Sequence, residues 1–240
     1  MINGGIKGGV MGKISVLVLV MAAALFALSG CGSSEGASDN AHINEESGST
    51  HDLVPDEREG TPPPPVKETN LAKAAEEGSC FLLRDMPPEK EKELPPGAPD
   101  PGYKTYPPVS GPYVEPPHQQ ADGAYLNLPD SINQVGALNH GRMTIQYAPD
   151  LAEEFQLELK GLYDTMYGAT LFFPNDEMDF AVAATTRGNL LGCTSYEKQK
   201  IADAVRAFGK ATWGKSGKKP VESLPFEGPT PADPEEPAKG

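Results

Sequence analysis

Three cysteines and four histidines carry most of the nucleophilic and metal-ligating chemistry open to this 240-residue chain. They are scattered: Cys31, Cys80 and Cys193, then His42, His51, His118 and His140. No Gly-x-Ser-x-Gly elbow, His-Glu-x-x-His pair or two-cysteine metal pair occurs. The glycines from Gly4 to Gly12 with Lys13 imitate a phosphate loop. Lys7 and Ile14 stand where that loop needs glycine and a hydroxyl. Asp176, Glu177 and Asp179 lack the ligand alternation of a calcium loop and read as a solvated hairpin turn. Glu153, Glu154 and Glu158 read as the start and outer face of a helix, and His42 and His51 as solvated. Sequence therefore expects no metal and no cofactor.

Cys31 has the clearest assignment. Only basic charges, Lys7 and Lys13, precede Glu35, and an apolar run from Ile14 to Leu28 follows them, broken by Ser15 alone. That run is shorter than the roughly 20 residues of a spanning helix and has the length of a signal-peptide core. It ends in Leu28-Ser29-Gly30-Cys31, which looks like a bacterial lipobox. The small residues admit the peptidase, and the thiol at the first mature position receives the diacylglycerol. Sequence thus expects a cleaved signal over 1–30 and a membrane anchor of acyl chains, palmitate among them, on Cys31. Each chain contributes about 0.8 kcal/mol per buried methylene. Losing Lys7 and Lys13 moves the formal charge from −14 to −16. Such an acidic chain offers no footprint for nucleic acid, so lipid and not protein surface would hold it at the membrane.

Export leaves two cysteines in an oxidising compartment. Cys80 and Cys193 form either a bridge or two buried thiols. A bridge would restrict the unfolded chain by about 4–5 kcal/mol in the loop-entropy picture.

The elements that must position any site are confined to part of the chain. Of 25 prolines, 22 lie outside residues 118–219, so the high Pro content belongs mainly to flanking segments. Residues 31–77 read as a disordered acidic, proline-rich tether, spanning about 40 Å as a flexible coil. From Met86 to Pro117, Tyr103, Tyr106 and Tyr113 interleave with proline, which predicts an extended strap packed on a folded body. Residues 217–240 read as a disordered tail. Between them, the alternation of Met143, Ile145 and Tyr147 predicts a strand buried on one side. Asp150 and Glu153 predict a capped helix with the stripe Leu151, Phe155, Leu159, Leu162, Tyr163 and Met166, ended by Gly168. Thr170–Phe173 and Phe180–Thr186 read as two strands joined by Asn175-Asp176-Glu177. A last helix begins near Thr194, with Ile201, Val205, Phe208 and Thr212 inward and Trp213 beyond. The order strand-helix-strand-strand-helix gives an α+β domain over 78–216, a small sheet packed with two helices behind the strap.

Several segments in succession carry a resemblance. Tyr103-Lys104-Thr105-Tyr106-Pro107-Pro108-Val109-Ser110-Gly111-Pro112 comes first, then Asp122-Gly123-Ala124-Tyr125. Leu138-Asn139-His140-Gly141-Arg142 leads into the strand, and Ala181-Val182-Ala183-Ala184-Thr185 and Leu191-Gly192-Cys193 close the set. Over roughly residues 78–216 this resembles the bacterial domain of unknown function 3105 family. The resemblance implies an envelope protein, often membrane-anchored, with Cys80 and Cys193 paired, and no known reaction. It also implies Pro-Pro-x-Ser-Gly-x-His, where this chain has Tyr113, and His-x-Leu-Glu-His-Gly, where it has Gly136, Asn139 and His140. A further histidine of the family falls near Leu94.

Tyr113, His118, Asn139 and His140 are accordingly the candidate pocket. Several imidazoles with a carboxylate would suit a transition metal. His140 alone gives too few donors, and His118 joins it only if its loop folds back. The expected function is a non-catalytic binding or interaction module on the extracytoplasmic face of a cell membrane. Its partner is an envelope protein or a small ligand. The competing expectation is a metal-dependent enzyme or metal carrier centred on His140, helped by His118, Asp122 or Asn139.

Overall fold

A computed structural model describes residues 53–215, apart from Pro117, Tyr167 and Gly168. The expected signal, Cys31, His42, His51, the helix end at Gly168 and the tail from 217 lie outside the described residues.

Four helices and a six-stranded mixed sheet make an α+β fold among the described residues. The strands are β1 (Cys80–Leu83), β2 (Gly123–Ala124), β3 (Met143–Tyr147), β4 (Thr170–Pro174), β5 (Val182–Thr186) and β6 (Asn189–Cys193). The helices are α1 (Leu71–Glu77), α2 (Ser131–Asn139), α3 (Glu153–Thr165) and α4 (Lys198–Thr212). The sheet runs β1-β6-β5-β3-β4-β2.

β3 is central. It pairs parallel with β4 across the α3 crossover and antiparallel with β5. The expected hairpin from 170 to 186 is therefore absent, because β3 lies between its two strands. Asn175 is buried rather than solvated, and its side-chain amide donates to Gln146 Oε1 at 2.6 Å. Asp176, Glu177 and Asp179 do stay in solvent.

The predicted stripes of α3 and α4 do pack inward. Leu159, Leu162 and Met166, with Ile201, Val205, Phe208 and Trp213, close over Met143, Ile145, Tyr147, Phe172, Val182 and Leu191. The capping box does not form: α3 starts after Ala152, with Glu153 and Glu154 in its first turn, where carboxylates complement the helix dipole. α4 likewise starts at Lys198 rather than Thr194.

The other face of the sheet is also covered. β3 is buried at all five positions, not on one side. Thr144, Gln146 and Thr185 form a buried hydrogen-bonded row there, with Thr144 Oγ1 2.6 Å from Thr185 Oγ1 and Gln146 donating to Thr144 at 2.7 Å. α2 and the Pro/Tyr strap supply the apolar cover. Tyr103, Tyr113 and Val114 pack on Ile132 and Val135, and Val109 packs on Ala183 and Leu190.

Two edges complete the sheet. At one, Cys80 and Cys193 sit opposite each other in the β1–β6 register and are joined by a disulfide. At the other, Pro55 bridges Tyr125 and the Asp56 amide donates to Ala124 O at 2.8 Å.

That second edge corrects the tether. Residues 53–77 were expected to be disordered, yet they lie on the domain. Their acidic, proline-rich composition offers no apolar stripe, and the backbone does the docking instead. The Thr61 amide donates to Leu157 O at 2.8 Å, Arg206 donates to Pro64 O at 2.6 Å, and the Lys67 amide donates to Asp203 at 3.1 Å. α1 then buries Ala74 and Ala75 in the main core. Asp56 is clasped by Arg58 through Nε at 2.9 Å and Nη2 at 2.8 Å. Burial raises the Asp56 carboxyl, but the Arg58 hydrogen bonds and charge outweigh it and hold the group below its ordinary range.

Gly60 and Gly161 mark where this segment crosses α3. A Cβ at Gly161 would run into the Thr61 backbone, so this segment can approach only a bare helix surface. Gly161→Ala should lift residues 53–67 from the helix while leaving the sheet intact. Limited proteolysis should then cut this stretch several times faster than in the parent protein. Equal cleavage rates would show that the stretch is a free tether after all.

Candidate functional site

The candidate residues arrive on two elements, the C-terminal end of α2 and the loop that follows the strap. α2 ends at Asn139, with His140 as its cap; Gly141 follows at φ 83° and Arg142 leads into β3. A positive φ just past a helix favours glycine, which is why Leu-Asn-His-Gly-Arg turns so sharply there. The His140 and Gly141 amides donate to Ala137 O and Leu138 O, both at 3.0 Å.

The loop is sewn to both neighbours. Tyr113 exchanges backbone hydrogen bonds with Lys92 and Leu94 at 2.9 and 2.8 Å. The Val114 and Gln120 amides donate to Ile132 O and Asn133 O on α2 at 3.3 and 3.1 Å. Gly136 permits this closeness, because a Cβ there would strike the Val114 carbonyl.

Glu115 is the residue that joins the two elements, and sequence reading passed over it. Its Oε1 accepts the Tyr113 hydroxyl at 3.0 Å, and its Oε2 lies 3.2 Å from His140 Nε2. His140 is 2% exposed, whereas the Glu115 side chain is 29% exposed, so the carboxylate links a buried imidazole to the surface. One signal could have found it. In an extended segment, residues two apart share a side, so Tyr113 and Glu115 point the same way.

That surface is a cleft of about 570 Å³. Residues 93–96 form one wall, and Val114, Glu115, Pro116 and His118 form the other. His118 Nδ1 is buried without a hydrogen-bond partner among the described residues. The neighbouring Gln119 is fully buried, and neither of its amide atoms finds a partner among them. A smaller cleft of about 340 Å³ opens at the start of α2 beside Asp100, Asp130 and Glu177. Burial, then the charges of Asp100 and Asp176, raise the Glu177 carboxyl above its ordinary range. Its Asp100 is already engaged by the Ser131 and Tyr106 hydroxyls at 2.6 and 3.0 Å.

The structure thus brings together three of the four predicted pocket residues. His118 lines the cleft, and Tyr113 and His140 hold its Glu115. Asn139 goes elsewhere: its Oδ1 accepts from Arg187 Nε at 3.0 Å, and Arg187 also pairs with Glu91. Asp122, named as a helper, is committed to Arg142, which donates from Nε at 2.8 Å and Nη2 at 3.3 Å. It accepts the Ala169 amide as well, at 3.0 Å. Nearby Tyr125 donates to Ala121 O at 3.0 Å, and burial pushes its phenol up to about 12.

Chemically, the cleft offers carboxylates, an imidazole and a stiff apolar wall. Among the described residues, no Ser, Thr, Cys or Lys lines it to act as a nucleophile. Among the described residues, no group of three His, Cys, Asp or Glu side chains stands where it could hold a metal ion. Where the resemblance implies imidazoles, Leu94 lines the cleft, Tyr113 contributes its hydroxyl, and Gly136 gives way to Val114.

Tyr113→Phe keeps the ring and removes the hydroxyl that steadies Glu115. Because the carboxylate is partly solvated, the expected cost is about 1 kcal/mol in urea unfolding. The imidazole NMR resonances of His140 should shift as its partner loosens. Unchanged stability together with an unmoved His140 spectrum would refute the Tyr113–Glu115–His140 linkage.

No curated protein and no solved structure matches the chain. The family model described as a protein of unknown function (DUF3105) matches residues 100–222, a range that contains Tyr113, Glu115, His118, His140 and Cys193. On that match, slightly more than half its length, the chain belongs to the DUF3105 family.

Proposed function

We propose that this protein is a lipid-anchored binding module on the extracytoplasmic face of a cell membrane, and that its ligand site is the cleft beside Glu115. The observation that carries the binding reading is the Tyr113–Glu115–His140 chain. It fixes a carboxylate at the mouth of a cleft of about 570 Å³. That volume is in the range of small-molecule sites, and pre-oriented polar groups are what such sites use for specificity. Binding rather than turnover is the reading taken, because among the described residues no Ser, Thr, Cys or Lys lines the cleft.

Two features support the location. The run from Lys7 to Cys31 has the charge, apolar core and small residues of a lipoprotein signal. The Cys80–Cys193 disulfide suits an oxidising compartment. Among the described residues no helix is long and apolar enough to cross a membrane, so attachment in this reading rests on lipid at Cys31.

Cys31→Ser tests the attachment. The variant should leave the membrane fraction or accumulate as an uncleaved precursor. A mature-sized Cys31→Ser protein still bound to membranes would overturn the lipid anchor.

A further inference from the structure

We propose that residues 53–67 form a gate on the β2 edge of the sheet, which opens as one unit about the start of α1 while the sheet stays folded.

The edge contact shows what the gate covers. The Asp56 amide donates to Ala124 O and the Leu126 amide donates to Val54 O, both at 2.8 Å. The segment thus stands where a further strand would. Val54 and Asp56 turn these backbone groups toward β2, and Pro55 between them, bridged to Tyr125, turns its own outward. Proline offers no amide hydrogen there, so the closed edge resists strand addition. Leu53 packs beside this contact on Tyr125, Ala137, Leu171 and Phe173. Once the segment lifts, the Ala124 carbonyl and the Leu126 amide lose these partners next to an apolar pocket. An unpaired edge of that kind accepts an extended segment as a new strand.

The hold on this segment is slight. Within residues 53–67 only Leu53 and Asp56 are buried. Stretches with few buried contacts and exposed backbone hydrogen bonds open locally, well below the cost of global unfolding. The next element is fastened differently. α1 is capped by Asn70, which accepts the Lys73 amide at 3.0 Å, and it buries Ala74 and Ala75 in the main core. β1 then follows, tied to β6 by the Cys80–Cys193 disulfide. Opening therefore stops at the start of α1.

Four prolines make the segment move in one piece. Pro62 to Pro65 form a stiff rod, because proline-rich chain is semi-rigid. On one side of the rod, the Gly60 amide donates to Asp164 at 3.2 Å and the Thr61 amide to Leu157 O at 2.8 Å. On the other, the Lys67 amide donates to Asp203 at 3.1 Å. Asp56 is the latch. Its carboxylate is fully buried, and the Arg58 that clasps it also donates to Gln156 on α3 at 3.2 Å. One guanidinium thus ties the edge contact to the helix contact.

Hydrogen exchange on the full chain in detergent reads the gate amide by amide. Leu126, Thr61 and Lys67 donate across the boundary between the segment and the rest of the domain. All three should exchange through one common opening. That opening should be easier than the one exposing the Tyr125 amide, which donates to Phe172 O, or the Gly78 amide of the α1 cap. Asp56→Asn should speed all three about tenfold or more and leave Tyr125 and Gly78 unchanged. Leu53→Ala, which spares the latch, should also speed all three about tenfold or more. If either variant speeds Leu126 alone, the segment frays piecewise and is no gate. If the three amides exchange no faster than Tyr125 in the parent protein, the segment opens only with the whole fold, which overturns the proposal.

Discussion

A buried ion pair, Asp122 with Arg142, holds the ends of the site together. Arg142 has a fully buried side chain, and Asp122 is 16% exposed. Removing one partner of such a pair strands a charge away from water and costs about 3–5 kcal/mol. Their positions matter more than their energy. Arg142 follows His140 by two residues and directly precedes the central strand. Asp122 follows the cleft loop and precedes β2. By accepting from the Ala169 amide as well, Asp122 ties the start of β4 to the same point. Ala169 in turn accepts from the Trp213 indole at 3.0 Å, which links the end of α4. One carboxylate therefore fixes where the loop over the cleft begins its return to the sheet.

From that clamp the cleft follows as a consequence of two close approaches. The loop from Tyr113 to Gln120 can settle on α2 because Gly136 has no side chain. The docked residues 53–67 can settle on α3 because Gly161 has none. In both places the backbone makes the hydrogen bonds that side chains would make elsewhere. The result is a sheet covered on both faces, with helices α1, α3 and α4 on one and α2 with the strap on the other. The face with the strap carries the cleft. At the far edge, the disulfide between β1 and β6 closes the sheet independently of the site.

What could be read from sequence was what repeats. The β3–α3–β4 core and the inner stripe of α4 follow periods of two and near four, and those survive in the structure. The strap was legible because tyrosine rings among prolines need cover. α2 was not legible: it is nine residues long, buries Asn133, Gln134 and Asn139, and carries Gly136 in its middle. No apolar stripe distinguishes it from a polar loop. β6 is five residues beginning with Asn189 and was hidden for a similar reason. Residues 53–77 were misread because composition reports side chains, and this segment docks mostly through its backbone. In the site, His140 and Tyr113 stood out by type and by resemblance. Glu115 is one of 34 acids, and only the folded geometry separates it from the rest. Asn139 follows its helix to Arg187 instead, a direction that spacing along the chain could not give.

The clamp is tested most directly by a double-mutant cycle on Asp122→Ala and Arg142→Met, read by urea unfolding of the full chain in detergent. If the pair positions the loop and β3 as one unit, each single change costs about 3–5 kcal/mol and the double change costs no more than the worse single. The amide NMR signals of Glu115 and His140 should move together in all three variants. Additive losses within about 0.5 kcal/mol, with those signals unmoved, would contradict it.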